Sequence, residues 1–126
     1  MSQMSRVDVR VTSWDKVSSF YEVLLGSLGY KLQHQTDKWK VFATAGQQGA
    51  SFFAIMEEPG YKKPKEEIIG FWASSQSEVD RMAEQLALHG GRITEGPRSF
   101  PISPTYYGFY FEDAYGNKYE LAYRLP

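Results

Sequence analysis

Arg6, Asp8, Arg10, Ile68, Trp72, Glu120 and Arg124 are the side chains whose types and strand positions could act together on a small molecule. Asp8 and Glu120 are carboxylates, each able to serve as a general base once a substrate proton comes within hydrogen-bond reach. Arg10 and Arg124 carry planar forks of donors that match the paired oxygens of a carboxylate or phosphate, although strand arginines also pair with acidic neighbours such as Asp8. Trp72 offers a flat face on which a planar ligand can stack, and the same ring can equally fill a core. No residue takes an assigned catalytic role.

The missing residue types narrow the chemistry further. With no cysteine among 126 residues, disulfides, thiolate metal sites, iron–sulfur clusters and a cysteine nucleophile are excluded. Any metal would need His, Asp or Glu, and the only histidines are His34 and His89. A site of three imidazoles therefore cannot be built within one chain. His34 reads as a surface residue of a polar strand, and His89 as a favourable charge at a helix carboxyl end. Gly46-Gln47-Gln48-Gly49 lacks the lysine and the strand-to-helix setting of a phosphate loop and reads as a hairpin turn. Lys62-Lys63-Pro64-Lys65 is followed directly by Glu66-Glu67, the pattern of a solvated loop. Fourteen basic residues against 15 acidic give a net charge of −1, leaving no field to attract a polyanion, so nucleic acid is not an expected partner. Hydrophobic residues at 42% and charged residues at 23% fit one globular domain. Without an apolar leader or a bilayer-length apolar segment, no membrane association is expected and a cytoplasmic location is the default.

The elements that must position these residues are marked by periodicity. Residues 6–11 alternate charged and β-branched side chains, the period-2 signature of a strand. Ser13 can cap a helix whose apolar positions Trp14, Val17, Phe20, Tyr21, Leu24, Leu25 and Leu28 recur at helical spacing until Gly29 stops it. Three short runs, 30–36, 39–45 and 51–56, suit antiparallel strands joined by turns. Residues 57–67 have neither period and read as a linker. A strand at 68–74 follows, then a helix from Gln76 to His89 with the capping signature Ser75 and Glu78, ended by Gly90-Gly91. The tail predicts a proline-rich loop at 96–104, a strand at 106–112, a tight turn at 113–117 and a last strand at 118–124.

The second half repeats the first. At a constant offset of 62, Val7 matches Ile69, Val9 matches Phe71, Ser13 matches Ser75, Val17 matches Val79, Phe20 matches Met82, Leu24 matches Leu86 and Gly29 matches Gly91. The reading is a duplicated βαβββ unit, and two copies can close around one cavity. If the valines of the first strand pack on its helix, then Arg6, Asp8, Arg10 and Thr12 face the cavity. By the same parity so do Ile68, Gly70 and Trp72, and Lys118, Glu120, Ala122 and Arg124.

The order and spacing of several pieces resemble the vicinal oxygen chelate superfamily, which includes glyoxalases, bleomycin-resistance proteins and extradiol dioxygenases. The pieces are Phe20-Tyr21, Leu24-Leu25-Gly26 and Leu28-Gly29-Tyr30, then Phe71, Val79-Asp80, Gly90-Gly91 and Gly96-Pro97-Arg98. Asp113-Ala114-Tyr115-Gly116-Asn117 before Tyr119-Glu120-Leu121 completes the set. The resemblance implies an α+β domain over residues 1–126, of two βαβββ modules at about 5–57 and 67–126 joined by a linker at about 58–66. In that fold eight strands form an open, cupped sheet with helices outside, and homodimers are a common arrangement.

Members of that superfamily that perform chemistry usually hold one divalent metal, with ligands on the first and last strands of each module. The resemblance places those positions at Arg6, Ile68, about Phe52 or Phe53, and Glu120. Only Glu120 can bind a metal, because arginine has no acceptor lone pair and Ile and Phe have no ligand atom. No metal and no cofactor is therefore expected. Arg6 is expected to pair with Glu120, its guanidinium standing where the cation would sit. The expected function is a small-molecule binding or sequestering protein of the glyoxalase and bleomycin-resistance type that has lost the usual metal site. The alternative is a lyase or dioxygenase, either metal-dependent with unorthodox ligands or metal-free with Glu120 or Asp8 as base. A third reading is an interaction module whose cup is packed shut by Trp72, Ile68 and the Arg6 pair.

Overall fold

A computed structural model describes residues 6–44, 51–62 and 67–125, with the side chain of Arg6 outside that description. The turn expected at Gly46-Gln47-Gln48-Gly49 and most of the Lys62–Glu67 charge cluster also lie outside the described residues.

The chain divides into two compact units, Met1–Lys63 and Pro64–Pro126. The first contains β1 (Arg6–Val11), α1 (Trp14–Ser27), β2 (Tyr30–Thr36), β3 (Trp39–Thr44) and β4 (Phe52–Glu57). The second contains β5 (Ile68–Trp72), α2 (Gln76–Leu88), β6 (Arg92–Ser99), β7 (Tyr107–Glu112) and β8 (Lys118–Tyr123). Each unit forms a four-stranded sheet with the same order, β1-β4-β3-β2 and β5-β8-β7-β6. In each, the first strand lies parallel to the fourth and the rest form an antiparallel meander. The expected pair of βαβββ modules in an α+β fold is thus the observed architecture.

Alternation sets the faces. On β1, Val9 and Val11 are buried while Asp8 and Arg10 are exposed. The valines join Val17, Phe20, Tyr21, Leu24 and Leu25 of α1 and Phe42, Phe53 and Ile55 of the sheet in the first core. In the second unit Val79, Met82, Ala83 and Leu86 of α2 are buried, as are Phe109, Phe111, Tyr119 and Leu121 of the sheet. Each such Val, Leu, Ile, Phe or Met side chain contributes about 1.5–3 kcal/mol by leaving water. A smaller cluster of Phe100, Tyr106 and Ala122, with Tyr110 packed against it, also belongs to the second unit.

Helix ends follow local chemistry in one unit and long-range chemistry in the other. Ser75 accepts the Glu78 N–H at 3.0 Å, so the expected cap is present. Ser13 occupies the N-cap of α1 but its side chain makes no capping bond. Instead the Trp14 N–H donates to Glu57 Oε2 at 2.9 Å, because the end of β4 brings a carboxylate to the helix start. That corrects the expected Ser13 cap. At the other end of α2, Gly90 has φ +92 and the Gly91 N–H reaches the Leu86 carbonyl at 2.7 Å. The counterpart of Gly29, at φ +89, is therefore Gly90 and not Gly91, since α2 is one residue shorter than α1.

Residues 96–99, expected as loop, belong to β6. The strand accommodates them with register shifts between Ile93 and Arg98. A Cβ on Gly96 would stand 2.6 Å from the Gly108 carbonyl oxygen, so the glycine marks a close approach of two backbones inside the sheet.

Candidate functional site

The second unit gathers the chemistry on one sheet face. Glu120 lies on β8 directly opposite Gly70 of the parallel strand β5 and opposite Tyr110 of β7. Glu120 Oε1 lies over Gly70, where a Cβ would meet it at 3.8 Å, an ordinary van der Waals contact. Gly70, Phe71, Trp72, Tyr106, Glu120 and Ala122 line a hollow of about 160 Å³. Trp72 is 60% exposed, in edge-on contact with Tyr106 at 6.4 Å between ring centroids. The Arg124 guanidinium stands 4.9 Å from the Trp72 ring centroid, a cation–π contact that already occupies part of the aromatic surface.

Two residues before Gly70 and Glu120 on the same strands, Ile68 and Lys118 help line a second hollow of about 320 Å³ with Thr94, Glu95, Tyr110 and Glu112. Ile68 is 52% exposed there. The acidic groups of this hollow are held by arginines of β6: Arg92 bonds Glu112, and Arg98 bonds Glu95 while its guanidinium lies 4.0 Å from the Phe100 ring centroid. Glu120 differs from these acids. Among the described residues it has no hydrogen-bonding or ionic partner, and partial burial pushes its carboxyl above the ordinary carboxylate range.

Of the candidates read from the sequence, Trp72, Glu120 and Arg124 come together around one hollow, and Ile68 lines the next. Asp8 and Arg10 stand exposed on β1 in the first unit. Arg10 donates from Nε to Glu58 Oε1 at 3.2 Å, an exposed pair. The backbone of Arg6 pairs with Phe52, and the expected Arg6–Glu120 ion pair lies outside the described residues. Tyr106 escaped the sequence reading as a site residue. It precedes β7 and is turned inward by the loop before it, where the Phe100 N–H bonds its carbonyl at 3.3 Å; no periodicity announces such a position.

The strand register also bears on one of the ligand positions that the resemblance implies. Arg6 pairs with Phe52 and Ile68 with Lys118, and 68 − 6 reproduces the repeat offset of 62. Glu120 lies two residues beyond Lys118, so its counterpart is two beyond Phe52, at Ala54, rather than Phe52 or Phe53. Phe53 is fully buried in the first core. Alanine has no ligand atom either, so the donor set Arg6, Ala54, Ile68 and Glu120 does not fit a divalent cation. Among the described residues, no three His, Asp or Glu side chains converge in a way that could hold a metal. His34 is on the exposed edge strand β2, and His89 is the C-cap of α2. No helix of the described residues is long and apolar enough to cross a membrane.

The family model of the glyoxalase/bleomycin resistance protein/dioxygenase superfamily matches residues 3–121. The chain is similar to a glyoxalase/bleomycin resistance protein from Albidiferax ferrireducens T118, with 25% identity over 98% of this chain and 100% of that one and a TM-score of 0.79. It shares its fold with the fosfomycin resistance protein FosX of Listeria monocytogenes, whose structure holds Mn(II) and sulfate. There identity is 21%, coverage is 99% of this chain and 92% of that one, and the TM-score is 0.76. A superfamily enzyme from Burkholderia phytofirmans PsJN gives 12% identity, 98% and 100% coverage, and a TM-score of 0.77. No curated protein matches the chain in sequence.

Proposed function

Since the chain belongs to the glyoxalase/bleomycin resistance protein/dioxygenase superfamily, we propose that it binds or sequesters a small organic molecule without the superfamily's divalent metal. The observation that carries this reading is the hollow at Glu120, where a half-buried carboxylate and two aromatic rings converge, while the other ligand positions implied by the resemblance hold Arg, Ile and, on β4, Phe or its register neighbour Ala, none able to bind a metal. Trp72, Arg124 and Ile68 are its proposed ligand contacts beside Glu120 in the second unit. Arg6, Asp8 and Arg10 are proposed contacts from the first unit on the strength of strand parity. Residues 1–126 are proposed to act as one domain of a cytoplasmic protein. A homodimer is proposed as the working form, checked by a sedimentation mass of two chains.

Elemental analysis after incubation with Zn, Ni, Mn or Fe(II) and desalting tests the metal-free part. The expected result is no ion above trace stoichiometry. One ion per chain, lost in Glu120→Ala, would overturn it and favour the lyase or dioxygenase alternative. A screen of small organic molecules by thermal shift tests binding itself, with Trp72→Ala as the control expected to abolish any stabilisation.

A further inference from the structure

We infer that the hollow at Glu120 is a subsite for an organic cation, a ligand headgroup bearing a protonated or methylated ammonium. The inference rests on the proposed ligand site and adds the charge of what enters it. Its first support is pairing. Glu112 and Glu95 on the same sheet are each held by an arginine of β6, whereas Glu120 has no such partner among the described residues. A half-buried carboxylate without a counter-charge is costly, and a ligand cation removes that cost on arrival.

The second support is the wall of the hollow. Trp72 presents exposed ring surface in the hollow that holds the carboxylate, with Tyr106 buried behind it, and aromatic faces attract cations through their quadrupoles. The Trp72 ring already draws one cation, since Arg124 stands 4.9 Å from its centroid. Carboxylate and aromatic surfaces together suit an ammonium better than a neutral group. Size gives the third support. About 160 Å³ is below the range of a whole drug-sized site and suits a headgroup. The second hollow of about 320 Å³ beside Ile68 and Tyr110 can take the rest of the ligand along the same strands.

The probes are benzyltrimethylammonium, benzyl alcohol and benzoate, which share a ring and differ in charge. Binding is read from the three tryptophan indole N–H signals in nitrogen-15 NMR spectra, with that of Trp72 assigned by Trp72→Phe. The cation is expected to shift the Trp72 signal and to bind about tenfold more tightly than the alcohol, the effect of one modest charge interaction. Glu120→Gln should erase that preference while leaving alcohol binding in place. Arg124→Ala, which vacates the Trp72 ring, should tighten cation binding and keeps the question answerable if Glu120→Gln fails to fold. Equal binding of cation and alcohol would overturn the inference. Tightest binding by benzoate would overturn it in favour of Arg124 and Lys118. In both cases the ligand site itself survives. Silence from all three probes at Trp72 would overturn the inference together with the site.

Discussion

At Glu120, burial and charge oppose each other. Partial desolvation raises its carboxyl above the unfolded-state value near 4.5, so the folded protein holds that proton more tightly than the unfolded chain does. Well below 4.5 the group is neutral in both states and costs nothing. As pH rises through the unfolded value and then through the raised folded one, the folded state loses stability relative to a neutral side chain, and the loss levels off above both. Glu120→Gln should therefore be nearly neutral in urea denaturation at acid pH and progressively more stable than the parent toward neutral pH. A pH-independent difference would contradict this account. Arg10 illustrates the opposite regime. Its bond to Glu58 is about half exposed, and such surface pairs contribute at most about 1 kcal/mol. Residue identity and strand parity were enough to point to Trp72, Glu120 and Arg124. They could not find Tyr106, whose ring direction depends on a loop, or fix Ala54 as the counterpart of Glu120, which requires the pairing register.

Helices and strands were legible where their signals are local. The alternation of Arg6-Val7-Asp8-Val9 and the Ser75–Glu78 spacing each act within a few residues, and both elements form as that spacing implies. The cap of α1 was not legible because its acceptor, Glu57, lies 43 residues from Trp14. The strand at 96–99 was hidden because glycine and proline ordinarily signal a loop, whereas Gly96 is required by the approach of the Gly108 backbone. The two helix starts now make contrasting predictions. Ser75→Ala should cost about 1 kcal/mol by removing a capping acceptor. Ser13→Ala should cost clearly less, and Glu57→Ala should weaken α1 instead. Thermal denaturation of the three variants checks the order. Tyr107 supplies a further tie between elements: its hydroxyl donates to Asp80 Oδ1 at 2.6 Å, joining β7 to α2, and that bond pushes the phenol above its ordinary value.

At the scale of the whole chain, duplication was readable as the offset of 62, and the matching sheet orders give it a structural form. That shared order also ranks events in time. In the second unit the antiparallel strands β6, β7 and β8 follow one another through short connections, whereas β5 reaches its parallel partner only across the span from Ile68 to Lys118, which holds α2, β6 and β7. Loop closure of that length slows formation of a contact far more than it weakens the contact once made. The meander should therefore nucleate the unit, with β5 docking after the rate-limiting barrier. Phe71, which stacks on Tyr119 with centroids 6.1 Å apart, reports on that docking. In stopped-flow experiments Phe71→Leu should speed unfolding and leave the refolding limb almost unmoved, while Phe109→Leu, inside the meander, should slow refolding. The strand that carries Gly70 and Trp72 would then be the last to join, so the hollow comes into being only as folding ends.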